Sequence, residues 1–144
     1  MLDKMKELVK EKNICVLSTV SDKKPHCSLM VYAADSECRE FYMVTSRETQ
    51  KFRNLKNNPN VSLLIDTREE LWGPDRDRAS ALTVSGRIEE VRDSKKQKHI
   101  SRLLLDRHPH LEEFFERDDT AILCVKAESF LFLRGLREAH YEEL

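Results

Sequence analysis

The sequence is poor in the features that mark fibrous, low-complexity and membrane-spanning chains. It has three glycines and four prolines in 144 residues, which excludes collagen-like and low-complexity chains. No apolar run approaches the roughly 20 residues that a bilayer span needs. Lys and Arg total 25 against 26 Asp and Glu, with the signs interspersed. Because nucleic acids and anionic membranes attract proteins with a basic excess, we predict neither as a partner.

Cysteine pairs and metal-ligand clusters are also missing. The four cysteines form no CxxC pair, which favours reduced thiols over disulfides. The N-terminal segment MLDKMKELVKEK has no apolar centre of the kind found in signal peptides. We therefore predict a cytoplasmic protein. His108 and His110 flank Pro109 and have no third ligand nearby in the sequence, so we predict no metal site.

Apolar periodicity divides the chain into helices and strands. Apolar residues recur at helical spacing over 2–9, which predicts a short amphipathic helix at the N-terminus. Two further helices are predicted over 48–57 and 93–117, the second interrupted near Pro109. Apolar and β-branched runs between polar turns predict six strands, over 14–20, 25–34, 40–46, 61–66, 81–91 and 120–135.

Six strands joined mostly by hairpin-length turns predict a mainly β, α+β fold. We expect a six-stranded antiparallel barrel with helices packed outside, formed by a single domain over 1–144. A bend is expected at Gly86 in the fifth strand, and a break is expected at 127–129 in the last. A βαβ dinucleotide fold is disfavoured, because no helix separates the first three strands and no GxGxxG motif occurs.

Polar and basic residues collect where the third strand gives way to a helix. Thr45, Ser46 and Arg47 end the strand, and Lys51 follows in the helix. Helix-start amides, hydroxyls and cations together suit an anionic phosphate. The same residues also suit a helix cap, in which Ser46 precedes a helix with Thr49 or Gln50 and the two cations are solvated.

In their order along the chain, these segments resemble the flavin-binding split barrels related to pyridoxamine 5′-phosphate oxidase. The resemblance extends from about Lys6 to Arg134. It rests first on LSTV followed by a turn and Pro25, and then on the strand ending TSR with the helix that follows it. The segments NPNVSLLID and VSGRIEEV complete the pattern. A six-stranded split barrel with flanking helices is the fold that this resemblance implies.

The resemblance implies flavin mononucleotide (FMN) bound at a homodimer interface. Carried over residue by residue, the phosphate would be held by Thr45, Ser46, Arg47 and Lys51, because an arginine offers a planar fork of donors and a lysine a point charge. Trp72 in the polar loop either caps the flavin ring or anchors the loop. The residues expected along the isoalloxazine ring and the adjoining strand are Cys27, Ser28, Leu29, Met30 and Val44.

Departures from the true oxidase direct the prediction towards a different substrate. The oxidase has an arginine and a lysine bracketing its second strand, where this chain reads SLMVYA over 28–33. A glutamine expected at the fifth strand falls at or near Ala81, and the C-terminal segment lacks the oxidase's substrate-binding Arg and His elements. We therefore predict an FMN-dependent oxidoreductase of unassigned substrate, and not a pyridoxamine phosphate oxidase.

Several alternatives share the same fold. One is a non-catalytic flavin carrier or redox sensor, because fold and cofactor do not decide turnover. Others bind the deazaflavin F420 or haem, the latter needing an axial ligand that no histidine here marks. Apart from His26, which is better explained as an exposed or edge histidine at a strand start than as a group near the flavin, no general acid or base is evident. We therefore name no catalytic residue.

Overall fold

One antiparallel sheet organises the molecule. The computed structural model describes residues 1–71 and 73–144. Within these residues the sheet has eight strands in the order β2-β1-β5-β6-β7-β4-β3, with β8 also paired to β7. The strands are β1 Ile14–Ser21, β2 Lys24–Val31, β3 Ala33–Ala34, β4 Glu40–Ser46, β5 Asn60–Asp66, β6 Ser80–Glu90, β7 Thr120–Arg134 and β8 Glu138–Glu143.

Helices pack around the curled sheet. The α-helices in the described part of the chain are α1 Leu2–Glu11, α2 Gln50–Asn57, α3 Ser94–Arg107 and α4 Glu112–Phe115. Short 3-10 helices occupy Arg68–Glu70, Gly73–Arg78 and Pro109–Leu111. The predicted interruption of the long helix near Pro109 is confirmed, since α3 ends at Arg107 and Pro109 begins a 3-10 turn. No helix in the described ranges is long and apolar enough to cross a membrane.

Strand β7 holds the curled sheet together. It pairs with β6 along most of its length, while its other edge pairs first with β4 and then with β8. The register shifts between Ser85 and Gly86, where Glu128 of β7 is left without a partner. A side chain at Gly86 would place its Cβ 2.3 Å from the carbonyl oxygen of Lys126. The irregularity predicted at Gly86 is therefore a bulge, at which the two strands approach closely, and β7 continues through 127–129 without the predicted break.

The core lies on both sides of the curled sheet. Inside the curl, Leu17, Leu63, Val84 and Phe130 are fully buried and lie in one cross-strand row. A second cluster lies between the outer face of β4 and β7 and helix α3, which contributes Ile100 and Leu104. The mainly antiparallel split barrel with flanking helices is thus confirmed.

The described residues form two more strands than the six predicted. Strand β3 has only two residues and continues the direction of β2 after a break at Tyr32, so the predicted strand over 25–34 is two strands. Strand β8 is formed by EAHYEE, a charged segment with no buried residue. Its backbone pairs with β7 while its side chains stay near solvent, so neither apolar alternation nor β-branched residues mark it in the sequence.

Candidate functional site

The turn between β4 and α2 is built by local hydrogen bonds. Strand β4 is buried from Phe41 to Thr45, and the chain turns at Ser46. Thr49 caps α2: its hydroxyl accepts the N–H of Phe52 at 3.3 Å and donates to the carbonyl of Ser46 at 2.9 Å. The capping residue is thus Thr49, so Ser46 is not consumed in capping the helix. The N–H groups of the first turn keep no intrahelical acceptor.

Helix α2 is fixed to the barrel by a buried amide. Asn54 is fully buried, and its Nδ2 donates to the hydroxyl of Thr19 on β1 at 3.1 Å. Its Oδ1 accepts from Nε2 of Gln50 at 2.8 Å, one turn earlier. Phe52 and Leu55 pack into the core beside it. The start of α2 is therefore held in a defined position at the end of β4.

A cleft of about 450 Å³ opens between this turn, strand β2 and the segment around α4. It lies within the range of roughly 300–1,000 Å³ typical of small-molecule sites. Six of the predicted cofactor residues line it: Leu29, Met30, Val44, Thr45, Ser46 and Lys51. The structure adds five residues to that lining: Val31, Thr49, Leu111, Phe114 and Arg117.

The charges of the cleft are all positive. Lys51 and Arg117 line it, and none of its lining residues is acidic. Neither cation has a carboxylate within ion-pair distance among the described residues. One carboxylate contacts the lining from outside it: the hydroxyl of Ser46 donates to Oδ2 of Asp119 at 2.5 Å. The cleft therefore offers two uncompensated cations to an anion.

Arg47 is not part of the cleft lining. Its guanidinium donates to a carboxylate oxygen of Glu90 at 2.6 Å and to the carbonyl of Thr120 at 3.0 Å. The Glu90 side chain is only 5% exposed and also pairs with Lys56 and Arg92. Burial would raise the pKa of Glu90, but the hydrogen bonds from Arg47 and Lys56 outweigh it and hold the pKa below its ordinary value. Arg47 thus neutralises a buried carboxylate.

The remaining predicted residues lie apart from the cleft or outside the described chain. Cys27 is exposed on β2, and its sulfur lies 3.4 Å from the hydroxyl of Ser18. Ser28 pairs with Leu17 in the β1–β2 ladder. Strand β2 is the edge of the sheet, so backbone groups on its outer side are open to a ligand. His26 is exposed on the same strand, and Trp72 lies outside the described residues.

Arg117 is the charged residue of the cleft that the sequence did not indicate. It lies far from Lys51 in the sequence, so no local motif contains both residues. It reaches the cleft because α4 packs against β4 and β7. Phe114 and Leu111 come from the same segment and supply an apolar wall. The sequence indicates this wall only weakly: the aromatic pair Phe114 and Phe115 lies among charged residues, in a segment where the predicted helix is interrupted.

The donor set of the cleft fits a flavin phosphate. The hydroxyl of Thr45, the open N–H groups at the start of α2 and two cations can surround a dianion. Leu29, Val31 and Phe114 provide apolar surface for a ring system. No carboxylate or histidine lines the cleft. Across the described residues, no group of three His, Cys, Asp or Glu side chains is placed to hold a metal ion.

Family comparison agrees with this geometry. Residues 1–134 match the family model described as pyridoxamine 5′-phosphate oxidase. The chain belongs to the pyridoxamine 5′-phosphate oxidase family, as its motifs and split barrel indicate. A search of the curated proteins finds no match to the sequence.

Solved structures with the same fold have diverse cofactors. A haem-binding protein from Mycobacterium smegmatis superposes with a TM-score of 0.87 at 15% identity, over 99% of this chain and 57% of that one. This chain therefore spans little more than half of that protein. HutZ, a haem storage protein from Vibrio cholerae, has a TM-score of 0.77 at 19% identity and covers 92% and 93% of the two chains. A FAD-binding protein from Mesorhizobium loti has 0.72 at 16%, over 90% and 91%. At such identities the likeness establishes the fold alone.

Proposed function

We propose that the chain is an FMN-binding oxidoreductase of unassigned substrate. One observation carries the proposal: a cleft at the end of β4 contains two cations without carboxylate partners, next to hydroxyls and the start of a helix. Such a site suits the phosphate of FMN. Membership of the pyridoxamine 5′-phosphate oxidase family supports a flavin as the ligand.

The residues of the cleft divide the work of binding. Lys51 and Arg117 would neutralise the phosphate, and the hydroxyl of Thr45 would turn from that of Thr49, 3.1 Å away, to donate to one of its oxygens. The proton of Thr49 is already donated to the carbonyl of Ser46. Ser46 donates its proton to Asp119 and accepts from the N–H of Glu48 at 3.2 Å, so it has no proton to offer the phosphate. When bound, the flavin supplies hydride or electron transfer, and the protein supplies orientation and electrostatics. No side chain of the cleft is assigned as an acid or base.

A homodimer completes the proposal. One cross-strand row on the outer sheet face is unusually apolar and includes Leu29, which is 73% exposed, and Tyr141, which is 59% exposed. The row is Leu29, Val16, Leu64, Thr83, Leu131 and Tyr141. Leu29 also lines the cleft, so a second copy on this face would cover the ligand. An exposed apolar face of this kind is typical of an interface.

Sedimentation equilibrium tests the dimer. We expect the wild-type protein to sediment as a dimer and the Leu131→Glu variant to dissociate, because Leu131 is 37% exposed in the row, between Thr83 and Tyr141. A matched control is Arg87→Glu, which is exposed on β6 outside that row. A monomeric wild-type protein would contradict the proposed interface.

Haem binding is the second candidate function. It is favoured by the superposition on a haem-binding protein with a TM-score of 0.87. The local chemistry does not add to it, because no histidine lines the cleft and the buried His108 is hydrogen-bonded through Nε2 to the carbonyl of Tyr32 at 2.9 Å. A non-catalytic flavin carrier or sensor has the same site and differs only in turnover.

The visible absorption spectrum of the purified protein is the first test. We expect a yellow protein that releases FMN in a one-to-one ratio on denaturation. Reduction of that flavin by NADH or NADPH, followed by reoxidation at a catalytic rate, would favour the oxidoreductase over the carrier. A sharp haem absorption band on titration with haemin would favour the haem candidate. A colourless protein that takes up neither FMN nor the deazaflavin would contradict the proposal.

We propose a cytoplasmic location, which the four free cysteines suit.

A further inference from the structure

A second and larger cleft adjoins the proposed phosphate site. It has a volume of about 690 Å³ and lies between helix α3 and the first residues of β7. Helix α4 separates the two clefts, with Phe114 on the side of the phosphate site and Phe115 on the side of the larger cleft. Arg117 lines both of them. A ligand phosphate held by Arg117 could therefore extend into either.

The larger cleft is also positively charged. Lys98 and Arg102, one turn apart on α3, line it together with Arg117. None of the three pairs with a carboxylate among the described residues. Elsewhere on the same helix, Lys96 pairs with Glu40 at 3.3 Å. Cations gathered around one cleft without partners raise the local potential for an anion.

The rest of the lining suits a nucleoside. Phe115, Leu105 and Ile122 supply an apolar surface on which a base can stack. Gln97 donates its Nε2 to the carbonyl of Val91 at 2.9 Å, so its Oε1 is left to accept from an exocyclic amino group. Asp106 is the acidic residue of the lining, and a carboxylate at such a place can accept from ribose hydroxyls.

We propose that this cleft binds an adenosine diphosphate group. The purine would lie on Phe115, its amino group at Gln97, and the diphosphate would lie between Lys98, Arg102 and Arg117. One part of this inference rests on the proposed flavin function, namely that the diphosphate reaches the flavin phosphate site at Arg117. The group belongs either to the cofactor, as in FAD, or to a nicotinamide dinucleotide that delivers the reducing equivalents.

Calorimetric titration with ADP alone tests the site without a flavin. We expect ADP to bind the wild-type protein and the Lys98→Glu/Arg102→Glu variant to bind it at least tenfold more weakly. FMN affinity of that variant should stay within threefold of wild type, because neither residue lines the phosphate cleft. Lys95→Glu is the matched control: it is exposed on the same helix outside the cleft lining and should keep ADP affinity. Inorganic pyrophosphate should bind at least tenfold more weakly than ADP, since it has no base to stack.

The outcomes distinguish the two sources of the adenosine diphosphate group, and they distinguish this inference from the proposed FMN function. FAD binding tighter than FMN, with the difference lost in the double variant, assigns the group to the cofactor. Equal FAD and FMN affinities, with ADP competing against NADPH, assign it to the reductant. No ADP binding, or unchanged ADP affinity in the double variant, overturns the inference while leaving FMN binding as a separate result. ADP binding by a protein that takes up no FMN supports the second cleft and contradicts the proposed function.

Discussion

Arg47 and Lys51 lie four residues apart, and the structure gives them different surroundings. The guanidinium of Arg47 is bound to the buried carboxylate of Glu90 and to the carbonyl of Thr120. Lys51 lines a cleft that contains no carboxylate. Because the two residues are close in the sequence, both were predicted to bind the phosphate. In the fold, Arg47 contacts Glu90, and Lys51 lines the open cleft. The position of the nearest carboxylate therefore decides what each cation does.

The same contrast holds for the groups of cations around them. Glu90 gathers Arg47, Lys56 and Arg92, and these charges are compensated inside the protein. Lys51 shares its cleft with Arg117, and their charges are left for a ligand. A compensated cation contributes mainly to stability, and an uncompensated one contributes to binding. Substitutions on the two sides should therefore affect different measurements.

The largest effect is expected from the double variant Lys51→Ala/Arg117→Ala. Each side chain would make a charged hydrogen bond to phosphate, worth about 1.5–3 kcal/mol. The FMN dissociation constant should therefore rise at least about 100-fold, since 1.4 kcal/mol corresponds to a factor of ten. Fluorescence titration with FMN measures it. Thermal unfolding without ligand should change little, because neither side chain has an ion-pair partner to lose.

The matched control for that variant is Lys56→Ala. Lys56 also belongs to α2, but its ammonium lies 3.3 Å from Glu90. Its FMN dissociation constant should remain within threefold of wild type. Equal weakening in the control and in the double variant would mean that general charge, and not the cleft, attracts the cofactor.

Arg47→Ala should give the opposite pattern. Removal of Arg47 takes away the 2.6 Å hydrogen bond to Glu90, a nearly buried carboxylate that keeps only its weaker pairs. We expect the free energy of unfolding to fall by about 2 kcal/mol with FMN affinity little changed. Urea denaturation and FMN titration of one preparation compare the two. A large loss of FMN affinity with unchanged stability would show that Arg47 leaves Glu90 to bind the phosphate, as the family resemblance implies.

Much of this architecture is readable from local patterns. Alternating apolar residues marked the core strands, such as β5, and a glycine within a strand marked the bulge at Gly86. Both signals have a local cause, since burial follows the strand pleat and the bulge requires a missing side chain. Strand β8 has no such signal, because it is held by backbone pairing to β7 and buries no side chain.

The site could be predicted only as far as it is local. The turn from Thr45 to Lys51 is contiguous, and its hydroxyls and lysine do line the cleft. The partner of Arg47 lies 43 residues away, at Glu90, and Arg117 enters the cleft through the packing of α4. Neither the contact of Arg47 with Glu90 nor the position of Arg117 can be predicted from the spacing of residues in the sequence. Which of several nearby cations is compensated is a property of tertiary structure, so the motif alone could not distinguish Arg47 from Lys51.

A smaller effect is expected in the pH dependence of stability. The folded-state pKa of Glu90 lies below its ordinary value of 4.5, so the carboxylate contributes stability above that value and loses it as the pH falls through the folded-state pKa. Wild-type protein should therefore lose more stability than Glu90→Gln as the pH falls from 6 into the acid range. Urea denaturation at a series of pH values measures this. Parallel curves for the two proteins would exclude Glu90 as the acid-sensitive group.

The smallest effect is expected at Thr49, which belongs to both regions. Its hydroxyl caps α2 by accepting from Phe52 and also lines the cleft beside Thr45. Thr49→Ala should lower the free energy of unfolding by about 1 kcal/mol through the lost cap. It should weaken FMN binding by up to about tenfold, because the hydroxyl of Thr49 positions the first turn of α2 and the hydroxyl of Thr45. Thr49→Ser keeps the hydroxyl and should restore both quantities. If the serine variant recovered stability without recovering affinity, the hydroxyl would act as a cap alone, and the cations would account for the phosphate site.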